Sequence, residues 1–225
     1  MPAETEHPHD DPAARTTGRT LDHAAPVYDL LAPLMTFGLE RGYRKRAIDL
    51  LSLNGTEKVL DIGCGTGTLS REIASALNDK EHSRVIGVDA ATEMIRVARR
   101  KGAALPNLNF EAALAEELPF ENETFDCAVS TFFFHHVEFA LKQKTLTEMY
   151  RVLKQDGSAV IVDVDTPDNW FGRICAWSGY LLFRQEEIRE NIDGLLRQAL
   201  EEGPFPFVRL VSRHSGYISI FELKK

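Results

Sequence analysis

Residues Val59-Leu60-Asp61-Ile62-Gly63-Cys64-Gly65-Thr66-Gly67 join an apolar run to three alternating glycines, with an acid inside the run. Glycines let a backbone turn sharply and let a ligand approach without interference from a Cβ. A nucleotide-like ligand is implied. Dinucleotide loops place their glycines as G-x-G-x-x-G, but here Thr68 holds the third place and the pattern is G-x-G-x-G. Asp61, just before the loop, can accept from loop amides or from an ammonium group, whereas a pyrophosphate would gain nothing from it. The loop therefore favours a cationic, phosphate-free ligand. Asp89 ends a second apolar run 22 residues after Gly67, where a carboxylate can accept both hydroxyls of an adenosine ribose.

His135 and His136 follow a further apolar run and are the candidates for a general base, because an imidazole titrates near neutrality. The alternative is a structural pair at the start of a helix. Cys64, Cys127 and Cys175 are odd in number and lack metal-ligand spacing, which argues against a disulfide framework or a zinc site and for a reducing compartment. His7 and His9 have no third ligand placed by sequence and read as part of a solvated tail.

The elements that must hold these residues follow from periodicity. Residues 1–20 are polar, charged and without apolar rhythm, so the spacing predicts a disordered tail followed by one domain over 21–225. From Val27 to Leu53 apolar residues recur at helical intervals, broken by Pro33 and Gly38; lid helices are expected over 21–54. Leu69, Ile73 and Leu77 predict a helix after the glycine loop. Strand Arg84–Asp89 and a helix from Thr92 as N-cap to Gly102 as stop come next. Strands Leu108–Glu111, Phe125–Ser130 and Ser158–Asp163 alternate with a helix over about 138–153, and a further helix runs over about 185–200. Phe207–Ser212 and Tyr217–Leu223, around His214-Ser215-Gly216, form a hairpin signal. The fold class is thus α/β: a Rossmann-like doubly wound sheet with helices on both faces, mostly parallel, with an antiparallel C-terminal hairpin strand.

The chain has 225 residues, 26 basic against 34 acidic, for a net charge of -8, with no long basic run, which speaks against nucleic acid as a partner. No apolar run approaches the roughly 20 residues needed to cross a bilayer, and no basic-then-apolar leader opens the sequence, so a cytoplasmic protein is expected.

At the glycine loop and Asp89 the chain resembles the class I S-adenosylmethionine-dependent methyltransferases. Glu116-Glu117-Leu118-Pro119-Phe120, Phe125-Asp126, Phe134-His135-His136-Val137, Glu148-Met149-Tyr150-Arg151-Val152-Leu153 and Asp156-Gly157 follow in that family's order. They resemble the branch of menaquinone and ubiquinone C-methyltransferases. The likeness covers about 24–157 and implies S-adenosyl-L-methionine as cofactor. It would place Gly63, Cys64, Gly65 and Gly67 against the methionine and ribose, Asp61 at the amino group through water, and Asp89 at the ribose. Ala90 and Met94 would flank the adenine, and Ala115 would meet it through its backbone N–H. Leu114 stands where the family has an acid, with Glu116 as a substitute. Thr131 would line the methionine end, and Tyr28 would belong to an N-terminal lid.

Methyl transfer is an in-line displacement, so a protein supplies mainly positioning, desolvation and, where needed, a base. The acceptor must be inferred from the lids. Over 164–184, Trp170, Phe171, Ile174, Cys175, Trp177, Tyr180, Leu181, Leu182 and Phe183 could line an apolar acceptor pocket, meet a membrane surface, or simply join the core. No Asn-Pro-Pro-Tyr type signature of nucleic-acid amino-methylation occurs in Asp163–Asp168. A small, hydrophobic, quinone-like carbon or oxygen acceptor is favoured, ahead of a phospholipid amine or small thiol. The alternative of another class is a non-catalytic cofactor-binding module.

Overall fold

The computed structural model describes residues 12–16 and 39–225. Helix α1 is the single turn Pro12–Arg15, within the segment expected to be disordered. Helix α2 spans Glu40–Leu51 and buries Tyr43, Ala47 and Leu51. Tyr28 and the rest of the expected lid up to residue 38 lie outside the described residues. The chain then runs β1 Lys58–Ile62, α3 Thr68–Ala76, β2 Arg84–Asp89, α4 Thr92–Gly102, β3 Leu108–Ala112 and β4 Phe125–Thr131. A 3-10 turn at Phe134–His136 leads into α5 Phe139–Val152 and β5 Leu153–Val164. Helices α6 Trp170–Phe183, α7 Glu186–Ile192 and α8 Leu195–Glu202 precede β6 Phe207–His214 and β7 Ile218–Lys224.

The strands form one sheet in the order β3-β2-β1-β4-β5-β7-β6. Strands β1 to β5 are parallel, β7 is antiparallel to β5, and β6 is antiparallel to β7. The order reverses between β1 and β4, so the crevice beyond their carboxyl ends is the topological switch point where such sheets bind ligands. Strand residues alternate between two cores: Leu60, Ala128 and Ile161 face one side with α5 and α8, and Val59, Val129 and Val160 the other with α2 and α3. Helices on both faces are why these strands read as continuous apolar runs.

Besides shifts of one or two residues at the ends of β3, β4, β6 and β7, four boundaries differ from the sequence reading. Thr92 is the first helical residue and not the cap; Ala91 precedes it without a side-chain cap. Gly102 remains helical, and its missing Cβ makes room for Phe110, whose Cε2 would lie 2.8 Å away. The helix expected over 185–200 is two, because Gly194 turns left-handed at φ 100°. Strand β5 starts five residues early, with Asp156 at φ 63° and a register shift between Phe125 and Cys127.

The Phe110 ring sits among Gly67, Gly87 and Gly102, each of which would meet it with any added Cβ. At Gly87 a Cβ would lie 2.7 Å from Phe110 Cδ1 and 2.9 Å from Ser70 Oγ. Gly87→Ala is therefore expected to cost about 1–3 kcal/mol by overpacking, read as a shifted urea midpoint. Gly87→Ala with Phe110→Leu should recover part of that loss, and an additive pair would refute the shared contact.

Candidate functional site

The turn after β1 is held by β2. The Gly63 and Cys64 amides donate to the Val88 carbonyl at 2.9 and 3.0 Å, and Gly67 N–H closes back on Cys64 O at 2.9 Å. Gly63, Gly65 and Gly67 all have positive φ, at 70°, 52° and 74°. Their missing side chains serve different ends. A Cβ on Gly63 would strike Phe133 and one on Gly67 would strike Phe110, whereas one on Gly65 would meet no atom of the described residues within 4 Å. Gly65 is thus the position open to a ligand. Its amide donates to Asp89 Oδ2 at 2.9 Å, and Ala91 N–H donates to Asp89 Oδ1 at 2.9 Å. Two backbone amides therefore fix the Asp89 carboxylate at the end of β2.

A cavity of about 350 Å³ opens here. From the loop, the end of β2 and the start of α4 it takes Gly63, Cys64, Gly65, Asp89, Ala90 and Met94 as walls. Ala115 and Glu116 close one side, and Thr131 with His136 the other. Of the residues singled out by sequence, Asp61, Gly67 and His135 do not line it. Gly67 faces Phe110 instead. His135 is 8 % exposed and its Nδ1 lies 2.6 Å from the fully buried Asp163, which also accepts the Phe134 and Val164 amides. That pairing fixes the His135 ring behind the cavity wall and not in it. His136 reaches the cavity with its Nδ1 3.1 Å from Gln185 Oε1 and its ring 4.0 Å from that of His135.

Asp61 lies beneath the loop, 1 % exposed, and takes a 2.5 Å hydrogen bond from Ser70 Oγ on Oδ2. Its Oδ1 is buried with no partner among the described residues. Burial pushes this carboxyl up to about 7 from the ordinary 3.8; the Ser70 hydroxyl pulls it down, and the Asp89 charge adds to the rise. Burial, with Asp61 and Asp89 nearby, also pushes the Cys64 thiol well above its usual value, so Cys64 stays protonated.

Several walls escaped the sequence reading. Glu40 and Arg44 of α2 reach the cavity, with Arg44 paired to both Glu40 and Glu72. Thr16 also reaches it, donating to Glu116 Oε1 at 2.9 Å, while Arg15 pairs with Glu117 at 2.8 Å. Phe132, Phe133, Val137 and Leu141 make the wall around His136 apolar. Their nearness in sequence to Thr131 was the available signal. Phe132 holds φ 55°, a strained value for a bulky residue, fixed by its amide on Val162 O and by ring contacts with Tyr43 and His135. Leu114 is 6 % exposed and buried in the core, so the acid expected at its place has no equivalent there; Glu116 is the nearby carboxylate on the cavity.

Residues 59–157 match the methyltransferase domain family. Over these residues the chain is similar to S-adenosylmethionine-dependent methyltransferases. It is 38 % identical over 146 residues to the ubiquinone/menaquinone biosynthesis C-methyltransferase of Citrifermentans bemidjiense, a match covering 64 % of this chain and 60 % of that protein. It is 37 % identical over 144 residues to the demethylmenaquinone methyltransferase of Thermus thermophilus, covering 64 % and 63 %. The chain thus spans less than two thirds of these relatives. Among solved structures, a putative S-adenosyl-L-methionine-dependent methyltransferase from Methanococcus maripaludis shares the fold at a TM-score of 0.64 and 17 % identity, covering 91 % of this chain and 95 % of its own. Geranyl diphosphate C-methyltransferase from Streptomyces coelicolor A3(2) shares it at 0.60 and 14 %, covering 83 % and 76 %.

S-adenosyl-L-methionine is the cofactor that the likeness to these methyltransferases implies, and the residues present fit it. The orphan Asp61 Oδ1 suits an ammonium reached through water, Gly65 leaves open space, and Asp89 presents a fixed carboxylate. The raised Asp61 value has two consequences. Stability from this group is fully present below its unfolded value of 3.8 and is lost as pH rises through about 7. A cation at Oδ1 favours the ionised form, so binding expels the proton. Cofactor affinity is expected to rise by up to about tenfold per pH unit below about 7 and then level off. Calorimetry in buffers of different ionisation enthalpy measures the released proton. A profile equally steep in Asp61→Asn would remove Asp61 as its source.

Proposed function

We propose that the chain transfers a methyl group from S-adenosylmethionine to a small, apolar, quinone-like acceptor at carbon or oxygen. The observation that carries this reading is His136 set among Phe132, Phe133, Val137 and Leu141 at the carboxyl end of β4. The names of the relatives, which are quinone C-methyltransferases, support the same class. The cofactor supplies an electrophilic methyl on a sulfonium. The aromatic and aliphatic wall excludes water and receives a flat apolar ring by burial of its surface. An acceptor that gains a methyl must lose a proton, and the His136 imidazole is the wall residue suited to take it near neutrality. Gln185, 3.1 Å from Nδ1, orients that ring.

The test supplies methyl-labelled cofactor with a reduced demethylated naphthoquinone, with phosphatidylethanolamine vesicles, or with a small thiol. Label in the quinol is the expected result. Label only in the amine or thiol would overturn the acceptor class, and intact cofactor binding without transfer to any of them would leave a binding module. His136→Ala should keep cofactor affinity and lose turnover.

A further inference from the structure

Helix α6 leaves its apolar side to solvent. Trp170 and Leu182 are each 75 % exposed, Leu181 68 %, Ile174 59 %, Phe171 45 % and Trp177 36 %. Their positions advance by three and four, so they form one stripe along about 20 Å of helix. The opposite side holds the helix in place. Ala176 is buried in the core, Cys175 and Tyr180 pack against it, and Gly172 abuts the Gly216 turn so closely that no Cβ would fit. Asn169 caps the first turn by accepting the Gly172 amide at 2.8 Å. The stripe is therefore presented by a firmly seated helix.

Its charge differs from that of the chain. The protein carries a net charge of -8, yet residues 170–184 contain no Asp or Glu and two arginines, Arg173 and Arg184. On a helical wheel both lie on one flank of the apolar stripe. The adjoining carboxylates are engaged: Asp168 pairs with Arg213, and Glu186 accepts from Tyr180 and pairs with Arg189. An apolar stripe containing tryptophan, edged on one side by guanidinium groups, has the makeup of a helix lying in a lipid headgroup layer. At ordinary ionic strength charges beyond about 10 Å are screened, so the local excess of arginine governs contact with an anionic surface.

We propose that α6 docks this protein on anionic lipid bilayers, with the side chains of Trp170, Ile174, Leu181 and Leu182 in the headgroup boundary. Arg184 ends the helix beside Gln185, whose amide holds His136 in the cavity wall, so docking brings the lipid surface next to the cavity. The docking is a property of the surface and is independent of what the acceptor is.

Trp170 and Trp177 are the chain's two tryptophans, so selectively excited tryptophan fluorescence reports on this helix alone. The full chain is mixed with vesicles of phosphatidylcholine alone or with phosphatidylglycerol, without cofactor or acceptor. Expected are flotation with the anionic vesicles, affinity for them on the order of tenfold above the neutral ones, a blue-shifted emission, and quenching by brominated acyl chains. Ile174→Asp with Leu181→Asp, both at exposed positions, should keep the melting temperature and stay in solution. Arg173→Glu with Arg184→Glu should lose the preference for anionic vesicles. Absence of binding to either vesicle would overturn the proposal, as would binding unchanged in the aspartate variant. A blue-shifted emission that grows with protein concentration without lipid, together with a dimer in sedimentation, would assign the stripe to a second copy instead.

Discussion

Asp165→Ala is expected to lower the unfolding free energy by about 3–5 kcal/mol, the usual loss when one member of a buried ion pair is removed. The carboxylate is fully buried at the end of β5. It accepts from Arg197 Nε at 2.8 Å and Nη2 at 2.6 Å, from Arg213 Nη2 at 2.8 Å and from Ser219 Oγ at 2.5 Å. One side chain thus ties β5 to α8, β6 and β7. Its loss would take the carboxylate from Arg197 and leave Arg213 with Asp168 and the Thr166 carbonyl alone, and Arg213 is only 20 % exposed with its buried Nε unpartnered among the described residues. Burial opposes ionisation of Asp165, but Arg197, Ser219 and Arg213 outweigh it and hold the carboxyl below its ordinary value. A depressed folded value gives stability that is present above the unfolded value of 3.8 and lost as pH falls through the folded one. Below pH 3.8 the wild type should therefore resist urea less, and the Asp165→Ala difference should shrink there. A loss under about 1 kcal/mol at neutral pH would mean that the arginines are stabilised by solvent and not by this carboxylate.

Asp89→Ala is expected to weaken binding of S-adenosylmethionine and S-adenosylhomocysteine on the order of 10²–10³-fold in calorimetry. Hydrogen bonds to a charged group contribute roughly 1.5–3 kcal/mol each, and a ribose offers two hydroxyls to one carboxylate. The substitution also frees the Gly65 and Ala91 amides that the carboxylate fixes at 2.9 Å, so the loop loses its link to β2. Asp89→Asn retains oxygen and nitrogen at the site and should fall between. The ribose share can be isolated, because the mutant should discriminate less between the cofactor product and its 2′-deoxy analogue. Equal affinities in wild type and Asp89→Ala would show that the ribose is held elsewhere.

The glycine loop, β2 at Arg84–Asp89 and the parallel core were legible because buried parallel strands are apolar throughout and their loops need special backbone geometry. Where local signals compete, they were harder to weigh. The break before α8 was written as Asp193-Gly194, yet the apolar spacing on either side reads as one helix. The early start of β5 was hidden because Asp156-Gly157 is also a turn signal. The site was legible only in part. Cys64, Gly65 and Asp89 declare themselves by residue type, but Glu40 and Arg44 join the cavity through the way α2 lies on the sheet, which no local pattern encodes. His135 and His136 are adjacent and chemically identical in sequence; only the buried Asp163 on β5 separates the imidazole it holds from the one facing the cavity. For α6, composition marked the apolar segment over 164–184 but did not say which of its residues would be buried.

The Phe110 ring among Gly67, Gly87 and Gly102 makes residues from a loop, a strand and a helix answerable to one aromatic. Such residues are not free to drift separately: a lineage that gained a methyl at 87 would need a slimmer residue at 110, and one that lost the ring would open the three glycine positions together. Inheritance at these sites should therefore be correlated. That dependence also reaches the binding loop, since Gly67 closes the turn that presents Gly65 to the cavity. A change in the hidden ring, far from any reacting atom, is a route by which cofactor affinity can be tuned while every residue touching the ligand stays the same.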